Sequence, residues 1–307
     1  MSTTTNTLTF PAPIQQRLEA AMQAALAPKG MQGLDFTKPA GEPALAAPDS
    51  VSWRVFKNPA ALFIGGVSAV ILELAEPRVR AGVWDHTSFR SDPVPRLQRT
   101  GLAAMITVYA ARSVAEEMIA GVGRRHARVT GKDEHGAAYR ADDPDLLDWV
   151  QATASFGFME AYHRFAAPLS PRERDLFFAE AEPAARLYGA TGAPRDVAEW
   201  EHQLDAMLPA LEPSPIIGEF LEIMHRAPAM PLAARPMQGL MLRAAVEILP
   251  AKVRAHLGLD AAYGLAPWQM GLVRGAVRTM ERVFLPSAPP ARACVRMGLP
   301  PDHLWRR

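Results

Sequence analysis

Residues 95–131 read PRLQRTGLAAMITVYAARSVAEEMIAGVGRRHARVTG, and this stretch decides the fold class. Leu102, Met105, Ile106, Tyr109, Val114, Met118 and Val122 recur at intervals of three and four. That period predicts a long helix from Pro95 to about Val129 with one buried face. His126 continues the row Val114, Met118, Val122 at the same interval of four, so a helix that persists this far points its imidazole inward. At the other end Arg96 and Thr100, four apart, share a face.

Upstream, Asn58-Pro59 is a helix start, with asparagine as cap and proline at the first helical position, and Pro77 is the stop after about Ala75. The apolar run Ala60 to Leu72 is shorter than the roughly 20 residues that span a bilayer and contains Gly65, Gly66 and Ser68. It reads as a buried helix, with small residues that admit another backbone or a flat ligand. Asp85-His86-Thr87-Ser88-Phe89-Arg90 is a polar turn, and Gly131 to Tyr139 a turn or short hairpin. Downstream, Asp143-Pro144 opens one helix and the capping box Ser170-Pro171-Arg172-Glu173 another. Further helices are expected at about 194–208, 214–226, 236–248 and 267–284. No stretch alternates β-branched residues. The fold class is all-α: one helical domain over 51–307, preceded by a partly helical N-terminal arm over 1–50 whose helix is expected at Pro13 to Ala27.

With 33 Lys plus Arg against 32 Asp plus Glu in 307 residues, the chain has no field that would recruit nucleic acid. One cysteine, Cys294, excludes an internal disulfide, a Cys-rich zinc site and covalently attached haem. Met1-Ser2-Thr3-Thr4-Thr5 has neither the basic nor the apolar part of a secretion signal, so a cytoplasmic location is expected, without an integral membrane segment.

Several ordered segments carry a resemblance. They are residues 65–72 with Pro77, Asp85-His86-Thr87-Ser88-Phe89, Asp92-Pro93, Arg96-Leu97-Gln98-Arg99-Thr100, His126-Ala127-Arg128-Val129-Thr130-Gly131, Tyr139-Arg140-Ala141-Asp142-Asp143-Pro144, Leu147-Asp148-Trp149-Val150 and Leu249-Pro250-Ala251-Lys252-Val253-Arg254. In this order they resemble the DUF2236 family, which includes the MpaB-type oxygenases and the rubber oxygenases called latex clearing proteins. The similarity covers roughly residues 54 to 300. It implies a globin-like helical core and a non-covalent haem b whose iron is held by His126, downstream of the Arg96 and Thr100 pair, with Arg99 as the basic residue before the threonine. It also implies oxygenase activity with O2 on a small apolar substrate of alkene or isoprenoid type. Where many relatives read Gln-x-x-His-Pro, this chain has Glu73-Leu74-Ala75-Glu76-Pro77, and Gln151 stands where they commonly carry a histidine.

The candidate catalytic residues are therefore Arg96, Arg99, Thr100 and Glu76, and the candidate cofactor contacts are His126, Arg96, Thr100 and Gly66. Each has a plainer reading. Arg96 and Arg99 could pair with Asp92 or Asp85, and Gly65 and Gly66 could serve helix packing alone. Glu73 and Glu76 offer either a base for an allylic proton or exposed acids beside Arg78 and Arg80. His86 reads most simply as a turn residue, and the acids Asp142, Asp143 and Asp145 as a helix cap. A non-catalytic haem sensor or storage protein, and a haem-free helical protein that binds hydrophobic ligands, are the alternative functions.

Overall fold

The computed structural model describes residues 7–8, 10–25, 33–229 and 235–306. After α1 (Ala12–Ala25) and α2 (Val51–Phe56) comes the central helix, α3 (Pro59–Ala75). Its start is fixed as the sequence predicts: the Asn58 side chain accepts from the Ala61 amide at 3.1 Å. Its end is made by Glu76, which is extended at ψ 120 because the proline after it disfavours helical backbone. The same residue caps α4 (Pro77–His86), accepting from the Val79 amide at 2.7 Å, and α4 leaves α3 at a bend of 111°. Asp85 and His86, expected in a polar turn, close α4 instead.

The remaining elements are α5 (Pro93–Tyr109), α6 (Arg112–His126), the antiparallel pair β1 (Thr130–Lys132) and β2 (Ala138–Arg140), and α7 (Pro144–Ala161), which runs into a π turn at Tyr162–Ala166. Then follow α8 (Pro171–Tyr188), α9 (Val197–Met207), α10 (Pro215–Arg226), α11 (Arg235–Glu247), α12 (Ala251–Leu257), α13 (Asp260–Tyr263), α14 (Pro267–Arg282) and α15 (Pro289–Arg296). The capping box of α8 is complete: Ser170 and Glu173 each bond the other's backbone. The fold is all-α in one domain, as expected. Leu26 and Ala27, the expected end of the first helix, lie outside the described residues.

Packing centres on α3, which is met by α7, α11, α14, α2 and α10. Its closest partner is α7, and glycine is the reason. A Cβ on Gly65 would fall 2.5 Å from the Gly157 carbonyl oxygen, and a Cβ on Gly157 would strike the Gly65 carbonyl. The two backbones touch where they cross, which only a side-chain-free pair permits. Gly66 differs: a Cβ there would meet the Phe158 ring at an ordinary 3.7 Å.

One expectation is corrected. The predicted helix from Pro95 to Val129 is broken at Ala110 and Ala111, whose ψ angles of 164 and 145 are extended. No glycine or proline marks the place. The break survives because distant groups replace the lost helical hydrogen bonds. Arg296, 2 % exposed, donates from Nη1 to the Tyr109 carbonyl at 2.7 Å and to the Phe36 carbonyl at 2.9 Å, and from Nε to the Glu42 carbonyl at 2.8 Å. The Arg112 amide reaches the Pro43 carbonyl at 2.8 Å, and the Glu42 carboxylate receives the Ser113 amide at 2.6 Å. The stretch before α2 is thereby drawn into the body, with Phe36 and Ala44 buried.

Two outcomes check this packing in urea denaturation. Gly157→Ala should cost about 3 kcal/mol, because neither backbone can yield as a side chain would, while Gly66→Ala stays within about 0.5 kcal/mol of the parent or gains from helix propensity. Arg296→Met should cost about 3–5 kcal/mol by leaving three buried carbonyls without their charged donor.

Candidate functional site

Helix α3 is buried nearly all round except along one stripe, Leu62, Phe63, Gly66, Val70 and Glu73, which is partly accessible. Helix α7 carries a matching stripe at Leu147, Val150, Gln151, Ala154 and Phe158. Accessibility along one face of two core helices means that they border a space there. The opposite wall is α5 and α6, which pack on each other, on α2 and on α8, without close packing onto α3 or α7. The two helix pairs approach each other where Arg96 of α5 and Glu73 of α3 act on one another's charge; this junction is the candidate slot, and apolar side chains dominate its α3 and α7 side.

Glu73, in the last turn of α3, is the acid of this wall. Burial pushes its carboxyl up to about 7, against the opposing pull of the Arg96 charge and a hydrogen bond donated by Thr153 Oγ1 at 3.4 Å. Arg96 enters from α5. Burial lowers its pKa, the Glu73 charge raises it and the Arg99 charge lowers it further. Its guanidinium donates to Thr100 Oγ1, whose own proton goes to the Arg96 carbonyl at 3.0 Å. Among the described residues Arg96 and Arg99 form no ion pair, so the alternative pairing with Asp92 or Asp85 does not occur. Arg99 is exposed, beside Arg96.

His126 closes the constellation from the last turn of α6. Its ring is half-buried and, among the described residues, makes no hydrogen bond. Burial lowers its pKa, Asp142 opposes this and Arg96 reinforces it. The net effect favours a neutral imidazole with a free lone pair. Asp142 is itself held by Arg140, through two contacts of 3.0 Å. Asp143 sits at the first position before α7 but accepts from the Arg140 amide at 3.1 Å rather than from the helix.

The structure thus brings Arg96, Thr100 and His126 together with Glu73, and Arg99 beside Arg96; Gly66 shares the Glu73 stripe of α3 but lies seven residues away and has only the Phe158 ring near it. Glu76 stands apart. It is 2 % exposed, and its oxygens are taken by the Val79 amide and by Arg78 Nε at 2.7 Å, so it serves as a helix cap. His86 lies on the surface with Nε2 3.1 Å from the Tyr139 hydroxyl. Thr153 and Asp142 are the neighbours that sequence reasoning misses: Thr153 carries no local signal, and Asp142 is absorbed into a capping motif. Both become visible only when α7 and the hairpin are placed.

A second cluster needs separating from this one. Glu134, His135 and Glu212 bring three ligand atoms within 4.8 Å of one another on the surface. Arg80, 2 % exposed, bonds Glu134 at 2.5 Å and Glu212 at 3.3 Å and offsets one of the two negative charges, and His135 Nε2 lies 3.0 Å from Glu212. A surface cleft of about 770 Å3 between α8 and α9, lined in part by Arg186, Gly192 and His202, shares none of the slot residues.

Can the slot residues hold a haem? The donor set fits: a half-buried imidazole that makes no hydrogen bond among the described residues and is favoured in its neutral form, for iron, and an arginine with no carboxylate in ion-pair contact among them, for a propionate. Among the described residues no single helix is long and apolar enough to cross a membrane. No curated protein and no solved structure matches the chain. Residues 53–282 match the family described as ER-bound oxygenase mpaB/B'/Rubber oxygenase, catalytic domain. Since that match takes in most of the polypeptide, the chain belongs to this oxygenase family and is an oxidoreductase by descent.

Proposed function

We propose that the protein is a haem b oxygenase that acts with O2 on a small apolar substrate bearing a carbon–carbon double bond, of isoprenoid type. The observation that supports the reading is that Arg96 lies between two groups, close enough for its charge to act both on His126, whose ring makes no hydrogen bond among the described residues, and on the Glu73 carboxyl, which burial pushes up to about 7. Haem bound there would supply the redox chemistry with dioxygen.

The chain's own residues divide the remaining work. His126 would hold the iron through its lone pair, and the Asp142 charge stabilises the positive end of the ring. Gly66 would present bare backbone on the same stripe of α3, beside the Phe158 ring. Arg96, braced by Thr100, would bind a propionate, and Arg99 would add charge at the rim. Leu62, Phe63, Val70, Val150 and Phe158 exclude water and favour a hydrocarbon. Glu73 is the group suited to take an allylic proton, because its pKa lies near the working pH and its carboxylate has only a long bond from Thr153. Glu76, engaged on both oxygens, is not.

Purified with haem supplied, the protein should show a Soret band that is lost or shifted in His126→Ala. An unchanged spectrum removes the ligand assignment, and no band at all favours a haem-free carrier of hydrophobic molecules. Oxygen consumption across a panel of isoprenoids separates an oxygenase from a haem store.

Glu73→Gln should keep the Soret band and lower turnover about a hundredfold or more. In the parent, kcat/KM should rise with pH and level off above about 7, where the carboxyl is ionised; a flat profile argues against Glu73 as base. Stability gives an independent check on the haem-free protein. The folded carboxyl holds its proton up to about 7, against an ordinary value of 4.5. The parent should therefore lose stability as pH rises through that window. Glu73→Gln should remove this loss, which amounts to about 3 kcal/mol by pH 8.

A further inference from the structure

The outward face of α14 carries a chemistry that the slot does not use. Val273 and Val277 bury one side of this helix, and on the other Trp268 and Leu272 protrude, 66 % and 48 % exposed and one turn apart. At about 100° per residue, Arg278 falls about 80° round from Trp268 and Arg274 about 120°, on the flank between that ridge and the buried side. They face the π turn that ends α7, and between them lies a cavity of about 420 Å3 lined by His163, Arg164, Pro168, Arg274 and Arg278.

The charges there are unequal. Arg164 is compensated by Glu160 at 3.1 Å and donates to the Glu247 carbonyl at 2.9 Å; Glu160 also approaches Arg174 at 3.9 Å. Arg274 spends one N–H on the Arg164 carbonyl at 3.2 Å and has no acid partner among the described residues. Arg278 has neither hydrogen bond nor ion pair among them. His163 Nδ1 accepts from the Leu169 amide at 2.9 Å, which puts the proton of the neutral ring on Nε2, as a donor. Two unneutralised guanidiniums and a fixed imidazole donor in one cavity suit a phosphate, which offers several anionic acceptors. The wall they share is a π turn, a distortion that recurs at functional positions.

Trp268 and Leu272 indicate where that phosphate comes from. An amphipathic ring and an aliphatic side chain, both exposed beside a basic flank, match a helix lying in the headgroup boundary of a bilayer. A nucleic acid would engage the arginines but leave Leu272 in water. We propose that α14 and the π turn form a docking surface for an anionic membrane, with a lipid phosphate between His163, Arg274 and Arg278, and with Trp268 and Leu272 entering the interface. This surface is independent of the reaction assigned to the slot.

The test is co-sedimentation of the full chain with vesicles of phosphatidylcholine alone and with about one third phosphatidylglycerol. Binding is expected to the anionic vesicles only and should weaken as salt rises from about 0.05 to 0.5 M. Replacing both Arg274→Ala and Arg278→Ala should reduce partition about twenty-fivefold, at about fivefold per arginine. Arg278→Gln alone, expected to lose about fivefold, covers the case in which the double variant misfolds. Trp268→Ala should weaken binding to the same vesicles while leaving its salt dependence in place. Equal binding to neutral vesicles, no binding to either kind or parental partition in the folded variants would overturn the proposal. So would capture of inorganic phosphate without vesicles, or a preference for an oligonucleotide.

Discussion

The corner at Ala110 and Ala111 is the constraint on which the slot depends. Had the helix of residues 95–129 been continuous, Arg96 and His126 would stand about 45 Å apart along its axis, at about 1.5 Å per residue. No single ligand of ordinary size could touch both. Because the chain turns back, α6 packs on α5, and the Arg96 charge acts on His126. The corner is held from outside the segment: the Tyr109 carbonyl by Arg296 of α15, the Arg112 amide by Pro43 and the Ser113 amide by Glu42. Those anchors lie on both flanks of the family match, which covers residues 53–282. The flanks are therefore structural parts of the corner.

A second cost is concentrated in the slot. Glu73 and Arg96 are both desolvated, yet they stop short of an ion pair, and each is shifted toward its neutral form by burial. A protein selected for stability alone would close the gap or replace the pair with apolar side chains. The contact between α3 and α7 at Gly65 and Gly157 supplies the rigidity that such a defect requires, since backbone against backbone leaves no side chain to rearrange. Departures from local consistency of this kind gather where chemistry is done.

Much of the fold is legible in the sequence because local signals suffice. Asn58-Pro59, Ser170 with Glu173, and Asp143-Pro144 each mark a helix start by residue type, and the structure begins α3, α8 and α7 there. The corner is illegible for the opposite reason. Tyr109-Ala110-Ala111-Arg112 favours helix, and what breaks it is an arginine far along the chain. The row Val114, Met118, Val122, His126 reads as the buried face of α6, but Ala115 and Ile119 occupy that face and the row flanks it, half-exposed.

The same logic separates the two acids at the end of α3. Glu73 and Glu76 are three residues apart, of one chemistry and beside one proline, so composition and spacing treat them alike. Geometry does not. Pro77 forces Glu76 into an extended conformation, and from there its carboxylate can reach the free amides of the next helix; it is consumed in capping α4 and pairing with Arg78. Glu73 is still inside α3, where the amides are already bonded along the helix, so its side chain takes no backbone donor and meets Thr153 and the Arg96 charge instead. A carboxyl that is buried and poorly solvated holds its proton near neutral pH and can exchange it. The proline that ends the helix thus decides which glutamate caps the next helix and which is left without a backbone donor.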